Sequence, residues 1–285
     1  MTSAINPTSE VVTLPYLTVA EYKNAPTAIS TSNLINKGTQ EQQDAELTNV
    51  IFRASAWIDS ECHQSLVAQT RTEQKTVLSM RGNEFSFSPD RFPIVSLNSL
   101  SYGNYPSSLV ALSDVSNAWI NGRLITLPTN NFPTLSNNFS FGSLIRYTYV
   151  HGFVNTVLPA VTATDTSFTL TNPDGITASQ ILHIADGAKS ESVQVAANYV
   201  YGSSLITLVA PLVNAHDAGT AIHSMPSSLK QAAILLTSAF IKVRGTQAAV
   251  LSTTATPNGA ISGSRGINTD TDIARDLLVD FVRKF

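Results

Sequence analysis

The 285-residue sequence predicts an α+β fold: a small helical bundle with β hairpins or a sheet, plus an inserted small all-β domain, barrel- or sandwich-like. Three observations predict it. Residues 47–58 and 229–243 repeat apolar side chains at the i, i+3, i+4, i+7 spacing that lines one helix face. Residues 72–153 change to short period-two runs separated by turn residues. Residues 160–224 are again β-rich, with a turn rhythm of their own.

In chain order, residues 1–16 read as a polar, proline-containing extended arm. A short helix follows, with Thr18 as cap, Glu21 reaching back to it and Leu17 stapled against Tyr22. Pro26 ends it, because proline disfavours helix in the residue before it. Thr39 and Gln42 form a second capping box, ahead of a helix whose face carries Leu47, Val50, Ile51, Ala54, Trp57 and Ile58. Strands are expected at 75–80, 84–88, 94–101, 109–112, 119–127 and 144–150, with turns at Arg81-Gly82-Asn83 and Asn121-Gly122. Residues 154–225 read as an inserted β domain with strands near 167–171, 180–184, 192–196 and 205–209. Helix returns at Ser228, where Gln231 completes a capping box, and Gly245 is its expected stop. Its face (Leu229, Ala232, Ala233, Leu236, Phe240, Val243) is widened by Ile234, Leu235 and Ile241, so burial on several sides is expected. The core is then 17–153 with 226–251, followed by a Gly/Ser/Thr-rich linker at 252–270 and an amphipathic C-terminal helix at 271–285.

Charged residues make up 13% of the chain, against roughly 25% in soluble domains, so Ser, Thr, Asn and Gln must fill much of the surface. A net charge of −3 argues against gripping phosphates as the main task. The lone Cys62 excludes an internal disulfide. No apolar run reaches bilayer-spanning length, so no membrane association is expected. The first residues show neither a basic start nor an apolar stretch of secretory type, so synthesis and use in a cytoplasm are expected.

Each catalytic possibility has a simpler structural explanation. Cys62-His63 are helix neighbours that do not face each other. Ser227-x-x-Lys230 matches an acyl-enzyme signature, but its S-D-N and K-T-G companions are missing and capping accounts for the serines. His183 and His223 could meet inside the inserted domain, yet His151, His183, His216 and His223 show no metal-ligand spacing. His216-Asp217-Ala218-Gly219 reads as a turn, and Asp174, Asp186 and Glu191 spell no calcium loop. The expectation is therefore no enzyme activity, no metal and no cofactor.

The order of the segments carries more than any one motif. "LTVAEYK" is followed by a helix ending "ASAWIDSEC", a strand pair leading to "PIVSLNSLSY", then "IRYTYVHGF", "PSSLKQAAILL" and "DIARDLLVDFVRKF". In this order the chain resembles the head-to-tail connector (adaptor) proteins of long-tailed bacteriophages. The resemblance spans most of 15–153 and 226–285; residues 154–225 depart from it by interrupting the junction between the glycine and the proline. It implies a structural virion protein at the neck, assembled in the host cytoplasm. Its partners would be portal protein, a tail-side neck or stopper protein, and itself, in a ring of about twelve copies. The ring would enclose a channel that DNA passes without specific binding, because at −3 per chain it would carry about −36. Portal docking is expected from Ile273, Leu277, Leu278, Phe281 and Phe285 through buried apolar area, with Arg283 and Lys284 at the rim. The alternative is that this helix folds back onto its own bundle. Rival readings are another neck or tail subunit (a stopper or tail-completion protein), and a cytoplasmic hydrolase or carbohydrate-binding protein using the inserted domain.

Overall fold

A computed structural model of the protein describes residues 14–77, 84–128, 143–243 and 265–283. Four α-helices gather into one bundle: α1 (Val19–Asn24), α2 (Gln40–Cys62), α3 (Ser227–Val243) and α4 (Arg265–Leu278). Two of the three expected capping boxes form, Thr18 with Glu21 on α1 and Thr39 with Gln42 on α2, each satisfying two orphan backbone donors. The α2 face predicted from periodicity is the buried one, with Leu47, Val50, Ile51, Ala54 and Ile58 at 0–1% exposure. α3 presents Leu229, Ala232, Ala233 and Leu236 to the same core. α2 stops where His63 turns left-handed at φ 54°, its N–H satisfied by the carbonyls of Asp59 and Ser60.

Two antiparallel sheets share a second core. The first, in the order β1-β7-β3-β4, joins β1 (Gln69–Val77), β7 (Ser143–His151), β3 (Ile94–Gly103) and β4 (Val110–Ala111). The second, β2-β6-β5, joins β2 (Glu84–Phe87), β6 (Leu124–Pro128) and β5 (Trp119–Asn121). Phe85, Phe87, Leu100, Ile125, Leu127, Tyr147 and Tyr149 fill the space between them. The fold is thus α+β.

Residues 154–225 enclose a third core, built around Leu170, Ile176, Leu182, Val195, Ile206 and Ile222. Its strands are β8 (Asn155–Val157), β10 (Ile181–Ala185), β11 (Glu191–Gln194) and β13 (Ala221–His223) in the order β11-β10-β13-β8, beside a pair made of β9 (Ser167–Thr169) and β12 (Leu205–Thr207). The two ends of this block meet: the Val154 N–H donates to Ser224 Oγ at 2.9 Å and the Ser224 N–H to the Val154 carbonyl at 3.1 Å.

The three cores join at Gly152. Phe153 donates to the Leu66 carbonyl and accepts from the Ala68 N–H, both at 2.7 Å, which ties the strand end to the chain leaving α2. Gly152 has φ +96°, and a Cβ there would stand 2.5 Å from the Val67 carbonyl oxygen. No side chain fits, so the glycine is a steric requirement.

Several expectations need correction. β1 begins at Gln69, not residue 75, because "QTRTEQKT" offers no apolar residue to a pattern search and is held by backbone pairing to β7. The run at 119–127 is not one strand but a hairpin, turning at the expected Asn121-Gly122 with Gly122 at φ +59°. β8 and β13 were not anticipated; each is three residues long, too short for a period to register. The arm does not stay free as far as residue 16: Tyr16 is buried, its N–H on Ser55 Oγ, its hydroxyl on Asp59 and accepting from the Leu66 N–H. α3 starts one residue early on the Pro226 carbonyl, and Gln231 bonds Thr27 instead of completing a box. Its expected stop, Gly245, lies outside the described residues, as do the turn at 81–83 and linker residues 252–264.

Candidate functional site: the C-terminal segment and its seat

The C-terminal helix starts at Arg265, six residues before the expected boundary, and gives way at Leu278 to a 3₁₀ turn, Val279–Phe281. It lies along α3. Lys242, at the end of α3, pairs with Asp270 near the start of α4, so the two helices run antiparallel. Ala274 and Leu278 are fully buried in the bundle core, and Leu277 and Phe281 are half-buried against it. The Phe281 ring meets Phe153 edge-on, centroids 5.8 Å apart, at the glycine junction.

Polar contacts fix the end of the segment. Gln64 donates its amide to the Phe281 carbonyl at 2.9 Å while accepting from the Phe92 N–H at 3.1 Å. The Arg283 N–H reaches the Cys62 carbonyl at 3.1 Å, one of the acceptors left open at the end of α2. Arg123 donates to the Val282 carbonyl at 3.4 Å with its guanidinium 3.6 Å over the Phe92 ring. Arg275 pairs with Glu61 at 3.3 Å and lies over Trp57 at 5.4 Å. Arg283 also approaches Asp90 at 3.5 Å, beside a cleft of about 370 Å³ lined by Lys75, Pro89, Phe92 and Arg123.

The structure therefore realises the fold-back alternative for part of the expected docking stripe. Leu278 has no exposed surface, and Leu277 and Phe281 are turned mainly inward. The reason is local: an amphipathic helix beside an apolar α3 face buries its stripe there, at roughly 1.5–3 kcal/mol per large side chain. Ile273 remains 44% exposed and Val279 59%, and Arg283 lies at the rim. Lys284 and Phe285 lie outside the described residues. Sequence reasoning missed Gln64, Arg123 and Phe153 as parts of the seat and Ala274 as part of the buried stripe; among the seat residues only Phe153, beside a glycine in an aromatic run, offered a signal.

The other candidate chemistry resolves into structural roles. Cys62 is fully buried and burial, with Asp59 and Glu61 nearby, pushes its thiol up to about 12. Lys230 is spent on Glu21 at 2.7 Å. His183 and His223 do come together, ring centroids 5.7 Å apart, as paired residues of β10 and β13. His183 bonds Ser192, however, while His223 takes the Met225 N–H and approaches Glu21 at 3.4 Å. His216 is bracketed by Asp186 at 2.9 Å and Glu191 at 3.0 Å. Among the described residues no group of three or more His, Cys, Asp and Glu is placed to hold a metal ion. No described helix is long and apolar enough to cross a membrane.

No family model matches this chain, and no curated protein matches it. Among solved structures, one described as the neck of an empty GTA particle computed with C6 symmetry is similar over 94% of this chain and 94% of its own. The identity is 11% and the TM-score 0.39.

Proposed function

We propose that this chain is a structural virion protein, a head–tail adaptor whose copies form a ring between portal and the tail-side neck protein, around the DNA channel. The segment order supports this reading, and one structural observation carries it. The resemblance departs only at residues 154–225, and the ends of that block are hydrogen-bonded to each other at Val154 and Ser224. The block therefore adds to the core without separating β7, which ends at His151, from α3. What remains is a pair of packed helices, a tyrosine-rich sheet and an amphipathic terminal helix.

Portal contact is assigned to α4 and the residues after it. As α4 lies, Ile273 faces outward with Arg283 at the rim; Leu277, Leu278 and Phe281 become available only when α4 leaves its seat. Truncation after Asn268 tests the assignment by co-purification with portal protein, with negative-stain microscopy of the mixture. The expected result is rings on portal with the full chain and loss of co-purification with the truncated one. Unchanged binding of the truncated chain defeats the docking assignment, and absence of rings with the full chain defeats the adaptor reading.

A further inference from the structure

The end of the C-terminal segment forms one wall of a cleft whose charge its own packing does not explain. The cleft, of about 370 Å³, lies between β1, the loop at 88–92, the turn before β6 and Arg283. Among its described lining residues Lys75, Arg123 and Arg283 stand against a single carboxylate, Asp90, which leaves two positive charges in excess. The chain as a whole carries −3. Asp90 is shared by two of the cations: Oδ1 meets Lys75 Nζ at 2.5 Å and Oδ2 meets Arg283 at 3.5 Å. Burial works to raise the Asp90 carboxyl, yet Lys75, Arg283 and Arg91 hold it below the usual carboxylate range, as a positive local field requires. Arg123 has no carboxylate partner among the described residues. Its guanidinium lies 3.6 Å over the Phe92 ring, which fixes its plane, and the Val282 carbonyl is the one described group that accepts from it, at 3.4 Å. The remaining N–H donors form a flat fork of the kind that takes both oxygens of a carboxylate.

We propose that this cleft binds a glutamate or aspartate side chain from an acidic segment of a partner protein, and that the bound carboxylate holds α4 in its seat. The incoming carboxylate meets the Arg123 fork, while its methylene stem rests on Pro89 and Phe92, the apolar part of the lining. A DNA backbone is a poorer match, because it needs a row of cations along a track and the cleft offers one fork at a single point. The hold on α4 follows from who builds the site. Val282 supplies the carbonyl that positions Arg123, and Arg283 supplies a wall, so the cleft is complete only while the segment after α4 is seated. A ligand that binds only the seated form stabilises it by mass action. Portal contact as assigned above needs α4 out of its seat, so an acidic segment in the cleft and portal on α4 exclude each other; that exclusion rests on the portal assignment, whereas the cleft stands without it.

Amide hydrogen exchange in α4, measured on the full chain without portal, reads the site directly. The probe is a synthetic peptide, acetyl-Ala-Glu-Ala-Glu-Ala-amide, titrated at low ionic strength beside its glutamine counterpart. A ligand confined to the seated form slows opening of α4 about tenfold once its concentration is about ten times Kd. That slowing is expected with the glutamate peptide and not with the glutamine one, and it should fade as salt is raised. Arg123→Gln should abolish it, and Arg123→Lys, which keeps the charge without the fork, should retain only part. Arg53→Gln removes the same charge from an exposed site on α2 and should leave it intact. Each ratio is taken with and without peptide in the same chain, so a looser α4 in a variant does not imitate the result. No slowing in the native chain, equal slowing by the glutamine peptide, or slowing unchanged in Arg123→Gln overturns the site. Greater slowing by inorganic phosphate or a short DNA duplex at matched ionic strength overturns the choice of an acidic segment. None of these outcomes depends on rings or portal, so the adaptor reading stands or falls separately.

Discussion

Replacing Glu21 with glutamine probes the contact that fastens α1 to α3 and to β13. Glu21 Oε1 faces Lys230 Nζ at 2.7 Å and His223 Nε2 at 3.4 Å, and its Oε2 takes the Thr18 N–H at 2.7 Å. Both members of the ion pair are largely shielded, at 15% and 14% side-chain exposure. Burial alone would raise the carboxyl. His223, Lys230 and the Thr18 amide overcome it and hold the group at about 2, against an ordinary 4.5. A folded-state value below the unfolded one means stability that is present above about 4.5 and lost as pH falls toward 2. At about 1.4 kcal/mol per pH unit the contribution is about 3 kcal/mol. Glutamine keeps an acceptor for Thr18 but leaves the Lys230 ammonium buried and unpaired, a loss of similar size. Urea unfolding, followed by tryptophan fluorescence at pH 7 and pH 3, measures it. The expected result is a variant about 3 kcal/mol less stable at pH 7, with a gap to wild type that narrows as pH falls. Adding Lys230→Met should recover most of the loss. A variant within about 0.5 kcal/mol of wild type at pH 7, or a gap that does not change with pH, refutes the argument.

Further outcomes follow from the same structure. Leu278→Ala removes a fully buried α4 side chain from its seat and should weaken helix docking by about 2–5 kcal/mol, seen as faster amide exchange in α4 with the core of residues 154–225 unaffected. Gly152→Ala forces a Cβ against the Val67 carbonyl in a left-handed conformation, and a fall in melting temperature of several degrees is expected from a cost of about 1–3 kcal/mol or more. Burial holds the Asp59 carboxyl up at about 6, against the hydrogen bond from Tyr16. The stability this shift represents is full below the ordinary value of 3.8 and lost as pH rises through 6, so Asp59→Asn should flatten the stability profile across that window.

Much of the architecture is legible along the chain because its causes are local. Capping boxes need residues three apart, helix faces need a 3.6 period, and the Asn121-Gly122 turn needs only a neighbour able to take φ +59°. β1 was legible only at its end, since an edge strand of Thr, Gln and charged residues gains its place through backbone bonds to β7 and through Glu73, which accepts from the hydroxyls of Tyr147 and Tyr149. The docking stripe shows the same division. Its amphipathic character is written in residues 273–281, but which surface covers it depends on Gln64 and Phe153, more than a hundred positions away.

Local periodicity thus specified which faces are apolar, and capping boxes where α1 and α2 begin. Partner choice came from folding: a buried stripe lowers the free energy against any complementary apolar surface, and only three-dimensional packing puts one such surface within reach. Glu21 and Lys230, 209 residues apart, show why no reading along the chain could pair them.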